Sequence, residues 1–371
     1  MNRILTICVK IYVACIRVIY VPMKLKKIKN KILFMSRQSN EKSADMKMLE
    51  DEIERISPDT ELVFRLKKLK DEKSLSLSYI FSIFADMWQM ADAKVIVVDT
   101  YIIPVSCLHH KNEQNVVQIW HALGATKKFG LQSVGLAQGR STSVAKAMHM
   151  HENYDYVIAP SEATGEFYCE SFDCDMSKVK IISLPRVDYI VDGKSRREEF
   201  LELNPEYAGK KIVAYIPTFR TDDDLYANKI YDAFKSYEGI GLVISAHPLS
   251  KTKEKGRHTL NGSFSSRDIM KFADVIITDY SACAYEAALL KKPLYFYVPD
   301  YDQYDAEQGL NVNLFNEMKG CTYRNAEELI NTIENTEYDF ERLTAFLEKY
   351  VECRDNDNTE RMAEFFVSLI K

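Results

Sequence analysis

Ala273-Asp274-Val275-Ile276-Ile277-Thr278-Asp279-Tyr280-Ser281 is the stretch on which the fold turns. Its apolar middle is short, continuous and β-branched, which is how a strand buried on both faces of a parallel sheet reads. It breaks into polar residues at Asp279 and resumes as small and apolar residues from Ala284 to Leu290, a helix. Strand, polar loop, helix is the unit of a doubly wound sheet. The same unit recurs nearby. Lys211-Ile212-Val213-Ala214-Tyr215-Ile216 ends at Pro217-Thr218, Gly241-Leu242-Val243-Ile244-Ser245 at His247-Pro248, and Pro293-Leu294-Tyr295-Phe296-Tyr297 at Pro299-Asp300.

Upstream the pattern has already run once. Strands are expected at Ile32 to Ser36, Leu62 to Leu66, Lys94 to Asp99, Val116 to Trp120 and Tyr156 to Ala159. Helices are expected at Met46 to Ile56, at Ser78 to Met90 and from Glu162, the last with Ser161 as N-cap. The charged stretch around Asp192-Gly193-Lys194-Ser195 separates the two runs. The expected division is 1–30 as a basic amphipathic segment, 31–188 as one Rossmann-like domain, and 189–371 as a second with a helical tail. Length agrees: 371 residues is about two domains. The expected class is therefore α/β, with two Rossmann-like domains facing a cleft.

The net charge of -5 hides a split. Residues 1–40 hold nine Lys or Arg and no acid, leaving 40 bases against 54 acids in the rest. An acidic body is a poor surface for nucleic acid. The head is apolar from Ile4 to Val21, and Arg3, Lys10 and Arg17 recur every seven residues as one helical stripe. With Lys24, Lys26, Lys27, Lys29 and Lys31 behind it, this reads as an interfacial helix. The expectation is an apolar body in the acyl boundary and bases toward anionic headgroups. A core-facing helix and a true signal anchor are the alternatives. The eight cysteines lack metal spacing and read as buried free thiols.

By the carboxyl-end rule for open α/β sheets, residues just after strands are the candidates for chemistry. His121 follows Trp120, with Gly124, Lys127 and Lys128 close behind; an imidazole there can accept a proton near neutral pH. His247 before Pro248 could donate to a phosphate oxygen. Asp279, Tyr280 and Ser281 at a helix start suit an anion. Arg186, and Arg220 near Thr218, are further strand-end cations. Each has a bland alternative: a structural histidine, an N-cap, a salt-bridging arginine. His149 and His151, two apart, do not share a helix face and are given no role.

Taken together these motifs resemble the CDP-glycerol glycerophosphotransferase family, the teichoic-acid primases and polymerases of Gram-positive bacteria. The segments that carry the resemblance are Gln118 to Ala125 with Lys127-Lys128-Phe129-Gly130, Leu184-Pro185-Arg186-Val187-Asp188, Ile216-Pro217-Thr218-Phe219-Arg220, His247-Pro248, and Ala273 to Ser281 continuing to Tyr304. The chain departs from many members in having Ala282 after Ser281, Gln308-Gly309 for Arg-Gly, and Ala122-Leu123-Gly124 after the histidine. The last form is similar to members that transfer ribitol phosphate.

The resemblance implies a GT-B fold and peripheral attachment at the cytoplasmic face of the cell membrane. It implies a lipid-linked glycan acceptor bound by the first domain, 31–188, and a CDP-glycerol or CDP-ribitol donor bound by the second, 189–371. His121 and His247 would be catalytic. Ser281, Asp279, Tyr280, Thr218, Arg220, Arg186, Gly124 and Lys127 would bind substrate. No metal or other cofactor is called for, and a divalent cation on the pyrophosphate is left open. A nucleotide-sugar transferase or epimerase, or a non-catalytic polymer-binding subunit, are the other classes in play.

Overall fold

The strands assemble into two parallel sheets. The structure is a computed structural model that describes residues 2–68, 77–137, 139–218, 223–245 and 264–371. Arg220 and His247 lie outside the described residues.

The first unit comprises Met1–Ala122, Lys128–Asp188 and Cys353–Lys371. Its strands are β1 (Lys29–Ser36), β2 (Glu61–Leu66), β3 (Ala93–Val98), β4 (Asn115–Gln118), β5 (Tyr156–Ala159) and β6 (Val179–Ile181). They lie in the order β2-β1-β3-β4-β5-β6, every pairing parallel. The chain goes one way from β1 to β2 and the other way from β3 onward. The order therefore reverses between β1 and β3, which is the topological switch point of such a sheet.

The second unit comprises Leu123–Lys127 and Tyr189–Glu352. Its strands are β7 (Lys211–Tyr215), β8 (Ile240–Ile244), β9 (Val275–Thr278), β10 (Leu294–Tyr297) and β11 (Thr322–Tyr323). They are again parallel, in the order β11-β10-β9-β7-β8, with the switch between β7 and β9.

Two pieces of chain depart from a single cut at residue 188. The helical tail was expected to close the second domain, but its last helix, Asn358–Ser368, belongs to the first. Met362, Ala363, Phe366 and Val367 complete a core of Ile32, Phe34, Leu49, Ile53 and Val97. Asp188 anchors the start of that helix, accepting from the amides of Asn358 (3.1 Å) and Thr359 (2.8 Å). The second piece is Leu123–Lys127, which the second unit incorporates directly after the His121 segment.

The basic head is also differently arranged. The helix Asn2–Met23 forms, and Ile4–Met23 is long and apolar enough to cross a membrane. It buries Val13, Ile16 and Tyr20 against the body. Arg17 does not face headgroups: its Nε donates to the Cys107 carbonyl at 2.8 Å, and Nη2 lies 3.1 Å from His149 Nε2. The expected polybasic patch is largely consumed by one acid. Asp92 pairs with Lys26 at 2.8 Å and with Lys31, and Lys29 reaches Glu61 at 3.6 Å. Lys31 is only 1% exposed. Burial works against the Asp92 charge, yet Lys26 and Lys31 hold its carboxyl below the usual range. Besides Lys10, the helix leaves a broad apolar face to solvent: Ile4, Leu5, Ile7, Ile11, Val18 and Val21, followed by Leu25.

The cysteines are all free, as read, but not all buried: Cys8 and Cys15 are exposed on the first helix. Cys169 and Cys174 sit with sulfurs 3.5 Å apart, both thiols pushed up chiefly by burial.

Candidate functional site

Polar groups collect at the carboxyl ends of both sheets, at the switch point of each. In the first unit the central residue is His121. Strand β4 was expected to run to Trp120 but ends at Gln118, because Trp120 takes φ 55°, the left-handed region. A bulky aromatic residue there is strained, and such strain concentrates at functional sites. Two contacts hold it. The Trp120 amide donates to Gln118 Oε1 at 2.9 Å, and its ring packs on Phe129 (4.6 Å) and Phe172 (5.4 Å). His151 completes this aromatic cluster, and burial with the nearby Arg140 charge lowers its pKa to about 3, so it is a neutral packing group.

The turn at Trp120 brings His121 back to β3. Its Nδ1 lies 2.8 Å from the main-chain oxygen of Asp99. A carbonyl can only accept, so Nδ1 carries the proton, and in the neutral ring Nε2 carries the lone pair. The residue that follows β3 is thus the one that sets the tautomer. Asp99 itself is 5% exposed. Burial pushes its carboxyl up to about 6; the hydroxyls of Ser36 and Thr100 pull the other way, and Asp45 adds to the rise. A raised carboxyl value means that charging Asp99 opposes folding. That cost is absent below about pH 4, grows between about pH 4 and 6, and amounts to roughly 3 kcal/mol above that window.

Arg186 is not an open cation. Its guanidinium and its own amide all turn to Asp45, with Nε–Oδ2 at 2.9 Å and N–Oδ1 at 2.8 Å. Asp45 is buried and Arg186 nearly so, its side chain 12% exposed. Nη1 also donates to the His121 carbonyl at 3.2 Å. Leu184-Pro185-Arg186-Val187-Asp188 therefore works as a clamp: Arg186 ties the helix Ala44–Ile56 to the histidine loop, and Asp188 ties in the helix Asn358–Ser368.

In the second unit the ends of β7 and β9 are stitched together. The Thr218 amide donates to Asp279 Oδ1 at 2.9 Å, the Ser281 amide to the same oxygen at 3.2 Å, and Thr278 Oγ1 to the Ile216 carbonyl at 2.7 Å. Asp279 is thus a buried joint of two loops. Tyr280 is fully buried, stacked on Tyr304 at 4.0 Å with its hydroxyl donating to Asp300 at 3.1 Å. These two residues shape the site from behind. Thr218 Oγ1 is buried and has no partner among the described residues, and Ser281 is half-exposed. The helix expected at Ala284–Leu290 is the seven-residue Cys283–Leu289, and Ser281 Oγ accepts from the Cys283 amide at 3.4 Å. A helix this short supplies little dipole, so any anion there would rely on hydroxyls and individual amides.

Gly124 has a packing reason. A Cβ added to it would stand 2.3 Å from the Tyr285 ring, whose hydroxyl is 3.1 Å from Thr126 Oγ1. Gly124→Ala is expected to destabilise the protein by about 1–3 kcal/mol through overpacking, measured as a lower urea midpoint. Lys127 lies on the same segment, bridged to Leu310, with its carbonyl accepting from Asn311 Nδ2 at 3.3 Å. Among the described residues no group of three or more His, Cys, Asp or Glu converges as a metal site.

Asp99 and Asp45 are the residues that sequence reading passed over. Asp99 closes the expected β3 run, so its position after a strand was already the signal. Asp45 looked like an ordinary acid in a helix's first turn, and only the fold pairs it with Arg186.

Two parallel doubly wound units, each with polar groups at its switch point, define the Rossmann-like α/β class. Comparison narrows it. A family model described as CDP-glycerol:poly(glycerophosphate) glycerophosphotransferase matches residues 18–368, and the chain belongs to that family. It is 30% identical to a teichoic acid ribitol-phosphate primase of Bacillus spizizenii, covering 85% of this chain and 86% of that protein. It is 27% identical to a teichoic acid glycerol-phosphate primase of Bacillus subtilis, covering 76% of each. In fold it matches the wall teichoic acid polymerase TagF with a TM-score of 0.71 at 18% identity, over all of this chain and 98% of that one.

Proposed function

We propose that the chain transfers a polyol phosphate from a CDP-alcohol to a hydroxyl of a lipid-linked teichoic-acid acceptor, releasing CMP. CDP-glycerol is the first donor reading, from the family's description. CDP-ribitol is the second, favoured by the ribitol-phosphate primase relative and by Ala122-Leu123-Gly124 after the histidine. The observation that carries the reaction class is the His121 tautomer. An imidazole whose Nδ1 proton is committed to the Asp99 carbonyl is set to take a proton at Nε2.

In this reading the acceptor hydroxyl gives its proton to His121 and attacks the distal phosphorus of the CDP-alcohol in line. The P–O bond to CMP breaks as the new P–O bond forms. Thr218, Ser281 and Arg220 would hold phosphate oxygens, and His247 would stabilise charge on the phosphates or the leaving group. Stabilising the charge that develops there is expected to lower the barrier more than any other single effect. The test is incubation with CDP-glycerol and CDP-ribitol separately, with a lipid-linked disaccharide, followed by mass measurement of the product. A product heavier by glycerol phosphate or by ribitol phosphate names the donor. No CMP from either would end the reading.

The same reading places the protein on the cytoplasmic face of the membrane as a monotopic protein. The support is the exposed apolar face of Asn2–Met23, with Ile4 at 73% and Val18 at 71% exposure, and Phe81 and Trp88 exposed on a second helix. Apolar area would supply most of the affinity, with Lys24 and Lys27 adding charge. Ile11→Asp with Val18→Asp is expected to cut co-sedimentation with phosphatidylglycerol-containing vesicles at least tenfold. CMP release from soluble donor should be unchanged.

A further inference from the structure

We propose that the groove between the helices Asn2–Met23 and Thr142–Ala147 is a binding site for the phosphate headgroup of an anionic bilayer lipid. The groove has a volume of about 750 Å³. Lys10 and Arg17 line it from the first helix, and Lys146 lines it from the second. Thr6 and Ser143 add hydroxyls, and no acid is among the lining residues. Bases gathered on one groove without an acid repel one another. An anion placed among them relieves that repulsion.

The protein's own groups leave these charges open. Lys10 and Lys146 are exposed and make no hydrogen bond or ion pair among the described residues. Arg17 spends Nε on the Cys107 carbonyl and Nη2 on His149 Nε2, and its Nη1 makes no hydrogen bond among the described residues. Glu152 stands on the other side of the His149 ring, 2.7 Å from Nδ1. Both ring nitrogens of His149 are therefore engaged, and the groove presents no free base. It is built to hold an anion, not to react with a substrate.

Helix geometry sets the depth of the site. At about 100° per residue, Lys10 and Arg17 point within about 20° of each other, about 10 Å apart along the axis. They lie on the flank between the buried arc of Val13, Ile16 and Tyr20 and the exposed arc of Ile4, Ile7, Ile11 and Val18. When a helix lies in the interface with its apolar arc in the acyl boundary, such a flank is at the level of the headgroups. Ala14 is exposed and lines the groove, so it joins the bases to the apolar arc. A phospholipid has the same layout: its phosphate goes to Lys10, Arg17 and Lys146, and its chains run beside Ile7 and Ile11. A free phosphate would leave that arc uncovered, so a lipid is the occupant that this surface fits.

This inference rests on the reading of the first helix as a membrane-surface element, and a lipid in free solution lets the two fail separately. The experiment is calorimetric titration of the full chain with dihexanoyl phosphatidylglycerol below its micelle concentration, where no bilayer and no surface potential contribute. The expected result is saturable binding at one site. Its Kd should weaken at least tenfold in Lys10→Gln with Lys146→Gln, and stay within twofold of wild type in Lys24→Gln with Lys27→Gln. Both groove lysines are exposed, so the Tm should match wild type. Dihexanoyl phosphatidylcholine and inorganic phosphate should each bind at least tenfold more weakly than phosphatidylglycerol. Absence of saturable binding by the wild type, or equal losses in the two double variants, would overturn the proposal. So would phosphatidylcholine or inorganic phosphate binding as tightly as phosphatidylglycerol. Should the short-chain lipid not bind while vesicles still sediment the protein, the groove site falls and the membrane reading stands. Should it bind as expected while vesicles do not sediment the protein, the membrane reading falls and the groove site stands.

Discussion

His121→Ala is expected to lower CMP release by about 10²–10⁴-fold, the usual effect of losing a general base. The fold should survive, because His121 is half-exposed and ends a loop held by other groups: Gln118 and Phe129 hold Trp120, and Arg186 holds the His121 carbonyl. His121→Gln is the sharper comparison. It keeps a polar side chain of similar reach but cannot take the proton. If kcat falls to the same level in both variants while the acceptor KM stays near wild type, the loss is chemical. Near-full turnover in His121→Ala would remove the histidine from the mechanism. The acid limb of kcat/KM supplies a second check. It should reflect protonation of the base, and it should be absent from the residual activity of the variant.

Arg186→Met is expected to cost about 3–5 kcal/mol of stability, because it leaves the Asp45 carboxylate buried and unpaired. For a protein of this size that is a fall in Tm of order 10 °C. Arg186→Lys should recover only part of it, since an ammonium cannot reproduce the planar contact with both carboxylate oxygens. The double variant Asp45→Leu with Arg186→Met should be markedly more stable than Arg186→Met alone, as removing both charges removes the penalty. A double-mutant cycle by urea unfolding measures this directly. Retention of wild-type stability by Arg186→Met would show that the pair carries no net weight.

Much of the fold was legible because buried parallel strands advertise themselves. The runs at Ile32, Lys94, Lys211 and Ala273 are apolar, short and cut off by polar residues, and each forms a strand. The strands that escaped notice are the edge strands Val179–Ile181 and Thr322–Tyr323, which are two or three residues long and carry no such pattern. The candidate site was legible in position only. Position after a strand put His121, Thr218 and Ser281 at the carboxyl ends of the sheets, but it cannot say which way a side chain turns. Arg186, Asp279, Tyr280 and Gly124 were read as facing a ligand, and their contacts are to the scaffold. Heptad spacing put Lys10 and Arg17 on one stripe, and Lys10 is exposed as expected, whereas Arg17 turns to the protein. A stripe fixes which residues share a face, while Cys107 and His149 fix where Arg17 looks.

The last helix has a bearing on how the chain is made. Synthesis runs from the N-terminus, and domains usually close in that order. Here the first unit lacks Phe366 and Met362 until the second has been translated, whereas the second ends at Glu352. The order of closure is therefore reversed. The unit that carries His121 waits, its apolar sheet face open, for the whole of the second to be translated. A frameshift in the codons of Asn358–Ser368 would strike the histidine's own scaffold, some 240 residues upstream in the sequence.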